Sequence, residues 1–288
     1  MIVSFHPCIV GDDNRLCAGR SPDESDLAVI RWADAVILPQ GCRKELYDMA
    51  RSACSRVFPN YDARFSFPGK TGQIRLFSES KAPHPRSAVY TETNHCRQET
   101  ESGKRLPFDF PFVLKLDWGG EGETVFRVAN REEWNRMFQD LCRFESKNQK
   151  GFLLQEYIPA GDRSLRVVVI GSRYLSYWRI HPEPGGFYTS VSKGAVVERY
   201  SHANLQQKAV GAVRMFCQQT GINLAGLDIL FALDSTNPGT DPEPLFLEIN
   251  YFFGRQGLGG SEAYYVLLME EINQWLRESG LNHETVRL

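Results

Sequence analysis

The chain has 288 residues with 33 Lys or Arg, 35 Asp or Glu and a formal net charge of -2, and 42% of its residues are hydrophobic. That is enough to bury a core in one large domain or two to three small ones. The near-neutral charge gives no general attraction to nucleic acid or anionic membrane, and no apolar run reaches the roughly 18 residues of a membrane span. The 7 cysteines (Cys8, Cys17, Cys42, Cys54, Cys96, Cys142 and Cys217) form no CxxC pair, and the 6 histidines show no zinc spacing. Reduced thiols in a soluble, cytoplasmic protein are expected. The opening MIVSFHP reads as a strand rather than a signal peptide.

In chain order, Ile2–Phe5 is the first expected strand. Ser21 as cap, Pro22 in the first turn and Glu24 as capping-box acid predict a helix start. Ala35–Pro39, a helix over Arg43–Ala53 and a strand over Arg56–Pro59 complete a βαβαβ pattern, hence a small parallel sheet. No GxGxxG follows the first strand, so a dinucleotide site is not predicted. Gly69-Lys70-Thr71 leads into a helix over Gly72–Ser80. A strand follows at Ala88–Thr91, and Thr93–Lys104 reads as an exposed loop. Pro111–Asp117 is an apolar strand, Trp118–Glu123 a glycine-rich turn and Thr124–Val128 the returning strand. Asn130 and Glu133 cap a helix whose stripe, Trp134, Met137, Phe138, Leu141 and Phe144, belongs to a core.

Strands are then expected at Gly151–Tyr157, Ser164–Ile170 and Arg173–Ile180, and, after Gly185-Gly186, at Tyr188–Ser192. A helix over Leu205–Thr220 ends before Gly221, a natural C-cap. Ala225–Leu233 and Leu245–Asn250 flank a polar loop, and a helix over Glu262–Glu278 closes the chain. There is no internal repeat.

The sharpest chemistry lies in GLDIL, 226–230, and FLEIN, 246–250. Folding them into an antiparallel hairpin about residue 239 brings Asp228 opposite the Glu248–Asn250 stretch. Glu248 and Asn250 are two apart and share a face. Three oxygen donors then converge, as hard magnesium prefers, with positions left for water and phosphate. The alternative is that they are exposed strand-edge residues or partners of nearby arginines. Lys115 lies inside a strand that should be buried, where a lysine needs a partner, and a phosphate in a cleft would supply one. The adjacent WGGEGE turn has little bulk at Gly119, Gly120 and Gly122, so its amides could close over phosphates. It also reads as a plain hairpin turn, and it is not a Walker A loop. The strand ending at Glu156, Tyr157 and Ile158 could offer backbone groups to adenine, or simply leave the core.

With FPFVLKLDWGGEG, LLQEYIP, RSLRVVVIG, AGLDILF and LFLEINYFFG in this order, the chain resembles the ATP-grasp superfamily. The nearest likeness is to RimK-like and glutathione-synthetase-like ligases, over about residues 65–275. The resemblance implies an α/β fold in which two α+β lobes hold the nucleotide, preceded by a shortened parallel α/β domain. The boundaries would be 1–80 for that domain, 81–155 for the small lobe and 156–288 for the large lobe. It also implies that Lys115 contacts phosphates, with Lys70 as an earlier phosphate lysine. Glu156, Tyr157 and Ile158 would line adenine, and Asp162 would take the ribose position. Asp228, Glu248 and Asn250 would hold Mg²⁺ (or Mn²⁺). Arg166 matches a phosphate- or substrate-side arginine, and Arg179, Ser190 and Lys193 fall near the substrate. Gly254 falls in the turn after the metal ligands. Three positions depart from the family pattern: Ser164 stands where an Asp is usual, Ser190 where an Asn is common, and Gly226 where some ligases carry Arg.

The function implied is ATP-dependent ligation of a carboxylate to an amine (or thiol) through an acylphosphate, with release of ADP. The substrate would be a small molecule or peptide with a carboxylate, and the co-substrate an amine. No cysteine nucleophile is needed. Two alternatives stand beside it. One is an ATP-grasp kinase acting on a hydroxyl, since NYFFGR, 250–255, also resembles inositol-phosphate kinases. The other is a non-catalytic ATP-binding module. The sequence leaves the oligomeric state open.

Overall fold

Short apolar runs alternating with helices produce the first sheet. In this computed structural model, which describes residues 1–101, 106–119, 123–183, 187, 194–232, 242–282 and 285–288, it comprises β1 (Ile2–Ser4), β2 (Asp13–Asn14), β3 (Ala35–Ile37) and β4 (Val57–Phe58). The order is β2-β1-β3-β4, and every pair is parallel. β1 and β3 are wholly buried, as apolar strands between helices should be. The two polar residues of β2 carry no strand pattern and were not foreseen. Helices α1 (Glu24–Trp32) and α2 (Lys44–Ala53) make the crossovers.

The start of α1 differs from expectation. Asp23, not Ser21, is the N-cap, and Asp26, not Glu24, completes the capping box. The Asp26 carboxylate accepts from the Asp23 backbone N–H at 3.0 Å and is gripped by Arg20 at 2.6 and 2.9 Å. That tertiary ion pair decides where the helix begins.

After α3 (Asp62–Ser66), α4 (Gly69–Glu79) begins three residues earlier than the sequence suggested, so Lys70 sits in its first turn. The second sheet is antiparallel: β5 (Ser87–Tyr90), β6 (Phe112–Leu116), β7 (Val125–Val128) and β8 (Phe152–Glu156), in the order β5-β8-β6-β7. The stretch read as an exposed loop is instead helical from Thr93, α5 (Thr93–Glu101). Its Cys96 is fully buried, and Thr93 donates its N–H and hydroxyl to Glu145. With only Thr93 and Cys96 buried among its described residues, and Cys96 the sole apolar one, there is too little periodicity to read in advance. On α6 (Arg131–Ser146), Asn130 caps as expected, while Glu133 reaches the N–H of Ala129. Trp134 and Leu141 are buried with Met137, Phe138 and Phe144 packed beside them, so the stripe is core.

The third sheet contains β9 (Arg163–Ile170), β10 (Arg173–Ile180), β11 (Val196–Glu198), β12 (Leu224–Phe231) and β13 (Pro244–Asn250). It is antiparallel throughout, in the order β11-β10-β9-β12-β13. Helices cover both faces. Val167 and Val169 pack toward α7 (Ala203–Thr220), while Val168 and Ile170 pack toward α8 (Ser261–Glu278). Burial on both faces explains why β9 reads as an unbroken apolar run. Gly221 ends α7 in the left-handed conformation, as predicted. Ile2, Ala35 and Phe58 share a core with α8, which joins the first sheet to the third. The expected Gly185-Gly186 loop, the strand at 188–192 and most of the loop before β13 lie outside the described residues. All seven cysteines are free thiols. Among the described residues no helix is long and apolar enough to cross a membrane.

Candidate nucleotide and metal site

The β12–β13 hairpin forms in the register that the sequence implied. Asp228 pairs directly with Glu248, and Gly226 with Asn250, with an irregularity between Asp228 and Ile229. On its other side β12 pairs with β9, which sets Arg166 opposite Asp228. The Asp228 carboxylate is buried and accepts from Arg166 Nε at 2.7 Å and Arg166 Nη2 at 2.9 Å. Arg179 Nη2 lies 3.0 Å from its Oδ1, and Asn250 Nδ2 donates to its Oδ2 at 3.1 Å. Burial alone would push this carboxyl up; the guanidiniums of Arg166 and Arg179 outweigh it and hold the group below the usual carboxylate range.

Two family departures acquire a physical role here. Ser164, cross-strand from Arg179, accepts from Arg179 Nη2 at 2.9 Å. A hydroxyl leaves the arginine its full positive charge. At Gly226 a Cβ would stand 3.3 Å from Phe253 Cβ and 3.4 Å from Arg166 Cδ, so glycine lets both side chains pack closely over β12. Arg179 Nε, though buried, has no hydrogen-bond partner among the described residues. An orphaned buried donor beside a cleft is a position for an incoming acceptor.

Lys115, on β6, approaches from the second sheet. It is buried, and its Nζ is 3.4 Å from the carbonyl oxygen of Leu247. Burial pulls its pKa down to about 8, and the charge of Lys70 adds to this, against the opposing pull of Glu248 and Asp228. An ammonium held under these conditions would gain from an added anion.

These groups line one cleft between the second and third sheets. Lys115, Arg166, Arg179, Asp228, Glu248 and Asn250 face it, as do Glu156, Tyr157 and Ile158 at the end of β8. Its unfilled space, open mouth and solvent included, is about 1000 Å³. The Glu156 carboxylate is held by Arg86, whose N–H and Nε both donate to it at 2.7 Å. The Glu156 N–H in turn donates to the Arg86 carbonyl at 2.9 Å.

Lys70 and Asp162 do not line the cleft. Lys70 is buried and donates to the Gly119 carbonyl at 3.1 Å and to Thr124 Oγ1 at 3.4 Å, bracing the glycine-rich turn. Gly119 has φ +78, and a Cβ there would lie 2.5 Å from Thr124 Cγ2, so this turn needs glycine. The Asp162 carboxylate pairs with Arg163 at 3.4 Å. Gly120, Gly122, Ser190 and Lys193 lie outside the described residues. Sequence reasoning missed Arg163, Gln155 and Phe187, which also line the cleft. An arginine or glutamine on a strand carries no signal until its sheet is assembled.

Asp228, Glu248 and Asn250 suit magnesium in kind, being hard oxygen donors on one cleft wall. Among the described residues no three His, Cys, Asp or Glu side chains gather as a metal site, so the Asn250 amide oxygen would be the third donor. Both Asp228 oxygens already accept from cations. Its full participation would require a guanidinium to turn toward another anion.

The chain belongs to the RimK-like ATP-grasp domain family, whose model matches residues 69–262. It is 26% identical over 150 residues to a probable alpha-L-glutamate ligase of Sodalis glossinidius (strain morsitans), a match covering 51% of this chain and 45% of that protein. A protein of the same description from Serratia proteamaculans (strain 568) is 28% identical over 149 residues, with 51% and 45% covered. The matched stretch is thus under half the length of either relative. The RimK domain ATP-grasp protein of Sphaerobacter thermophilus DSM 20745 superposes with a TM-score of 0.61 at 16% identity, over 90% of this chain and 89% of that one. That likeness establishes a shared mixed α/β fold.

Proposed function

We propose that this chain is an ATP-dependent, ADP-forming ligase that joins a carboxylate to an amine. One observation carries the reading: Lys115 and Arg179, both buried, and Arg166, its side chain 11% exposed, converge on the cleft wall that bears Asp228, Glu248 and Asn250. Buried cations beside carboxylates are what a nucleoside triphosphate and its metal require. In the proposed reaction a substrate carboxylate oxygen attacks the γ-phosphorus of ATP, the bond to the β-phosphate oxygen breaks, and ADP leaves. An amine then attacks the acylphosphate carbonyl, loses a proton and expels phosphate. Lys115 would hold phosphate oxygens with its ammonium. Arg179 would offer its orphaned Nε–H, and Arg166 its fixed charge, to the transferring phosphoryl group or the carboxylate. Glu248, Asn250 and Asp228 would hold Mg²⁺, which when bound screens the phosphate charge. Backbone groups of Glu156 to Ile158 would meet adenine.

The names of the relatives point to glutamate as the first amino acid to test, and other amino acids and short peptides follow. The experiment is ADP release with ATP and Mg²⁺, omitting the carboxylate and the amine in turn. A ligase needs both. A hydroxyl kinase releases ADP without an amine, and a binding module releases none, so either outcome would overturn the proposal.

A further inference from the structure

Among the described residues β13 ends the third sheet, and its outer edge has no neighbouring strand. Three contacts occupy that edge. The Phe246 N–H donates to the Pro83 carbonyl at 2.7 Å, and the Leu247 carbonyl meets Lys115 at 3.4 Å. At Ile249 the contact is two-fold: its N–H donates to Gln73 Oε1 at 2.8 Å, and its carbonyl accepts from Gln73 Nε2 at 2.9 Å. One side-chain amide reproduces both hydrogen bonds of an antiparallel rung. Two bonds from one planar group fix the strand both along its axis and about it. This outer grip adds to the register that pairing with β12 already sets on the inner side.

The residue so gripped lies between Glu248 and Asn250. Gln73 belongs to α4, which is anchored at its start. The Thr71 N–H donates to Asp117 Oδ1 at 2.7 Å, and Lys70 braces the Gly119 carbonyl. A Cβ on Gly69 would lie 2.4 Å from Asp117 Oδ1, so that end is closely seated. The helix therefore spans from the glycine-rich turn to the strand edge, and Gln73 transmits its position to the two residues flanking Ile249.

We propose that Gln73 is a positioning residue that sets Glu248 and Asn250 at the height and rotation needed to hold a magnesium–nucleotide complex. This rests on the Mg-ATP reading of the cleft. Gln73→Met keeps the length of the side chain and its tolerance of a helix but deletes both bonds. Gln73→Asn keeps the amide but is one methylene too short. ADP binding is measured by calorimetry across a magnesium series and in chelator, with urea midpoints of the metal-free proteins alongside.

Both variants are expected to raise the magnesium concentration for half-maximal ADP binding about tenfold, as loss of an outer partner typically does. ADP affinity in chelator and the urea midpoint should change little. Unchanged magnesium dependence, with or without a drop in the urea midpoint, would make Gln73 a residue of the fold alone and overturn the proposal, as would loss of folding in both variants. Wild-type protein whose ADP binding ignores magnesium would overturn the metal reading itself, and the role of Gln73 with it.

Discussion

Two buried aspartates in this chain are each held by a pair of arginines, and they do different things. Asp26 in α1 is fully buried, but its partner Arg20 keeps 42% of its side chain in solvent and Arg15 keeps 27%. Its remaining acceptor capacity caps the helix. Asp228 in β12 has partners that are themselves buried, Arg166 at 11% and Arg179 at 7% exposed, and one donor there has no partner. An aspartate–arginine pair by itself therefore marks nothing. Where the cations are partly in solvent, the pair serves as a joint. Where the cations are largely buried and a donor is left over, the arrangement is the one expected to favour an added anion.

The largest effect that could break this contrast is catalytic. Asp228→Asn and Glu248→Gln should each lower ADP formation by about 100-fold or more, the scale of losing a preorganised charge at a reacting phosphate. Asp26→Asn should leave turnover unchanged and cost about 1–2 kcal/mol of stability, as cap losses do. Steady-state rates and urea midpoints on all three variants are the measurement. Equal losses of activity would abolish the distinction. Both carboxyls lie below their usual range, Asp26 through its Arg20 hydrogen bonds and Asp228 through Arg166 and Arg179 against its burial. Each therefore contributes stability above about pH 4 that disappears as pH falls through its folded value.

Lys115 should give the same slope in a higher pH window, though its cause is burial of the charged form. Its folded pKa of about 8 lies below the unfolded value. Between about pH 8 and 10.4 the unfolded chain binds the extra proton, and stability should rise with pH across that window. Lys115→Met should remove this rise while weakening nucleotide binding about 10- to 100-fold at pH 7. Urea midpoints at pH 7 and 9.5, with ADP titrations, test both. A variant with unaltered ADP affinity would show that the buried ammonium serves only packing.

The smallest effect expected is for Asp162→Asn. Its pair with Arg163 is long and half in water, so nucleotide affinity should change by less than about 0.5 kcal/mol. A tenfold loss by calorimetry would return Asp162 to the ribose position that the family resemblance suggested.

The carboxylate hairpin was legible in sequence because its two strands are apolar except at the residues that matter, so register and chemistry emerged together. Lys115 was legible for the same reason, as one charge in a run of apolar residues. Gln73 was not, since a glutamine on a polar helix has many ordinary uses and its meaning depends on a strand more than 170 residues away. Lys70 was expected at a phosphate; its ammonium donates to the Gly119 carbonyl and Thr124 Oγ1, contacts that no local pattern announces. The α1 cap and the α5 helix failed alike, because a tertiary partner, Arg20 in one and Glu145 in the other, overrides a weak local pattern.

The seating of α4 and Pro83 against β13 has a consequence for solubility. An open sheet edge with free N–H and carbonyl groups is a template on which another chain can polymerise. Here that edge is engaged by a glutamine amide, a proline carbonyl and an ammonium. The opposite edge is the three-residue β11. The sheet thus offers little for a second copy to pair with, and groups that shape the ligand cleft also guard the protein against aggregation.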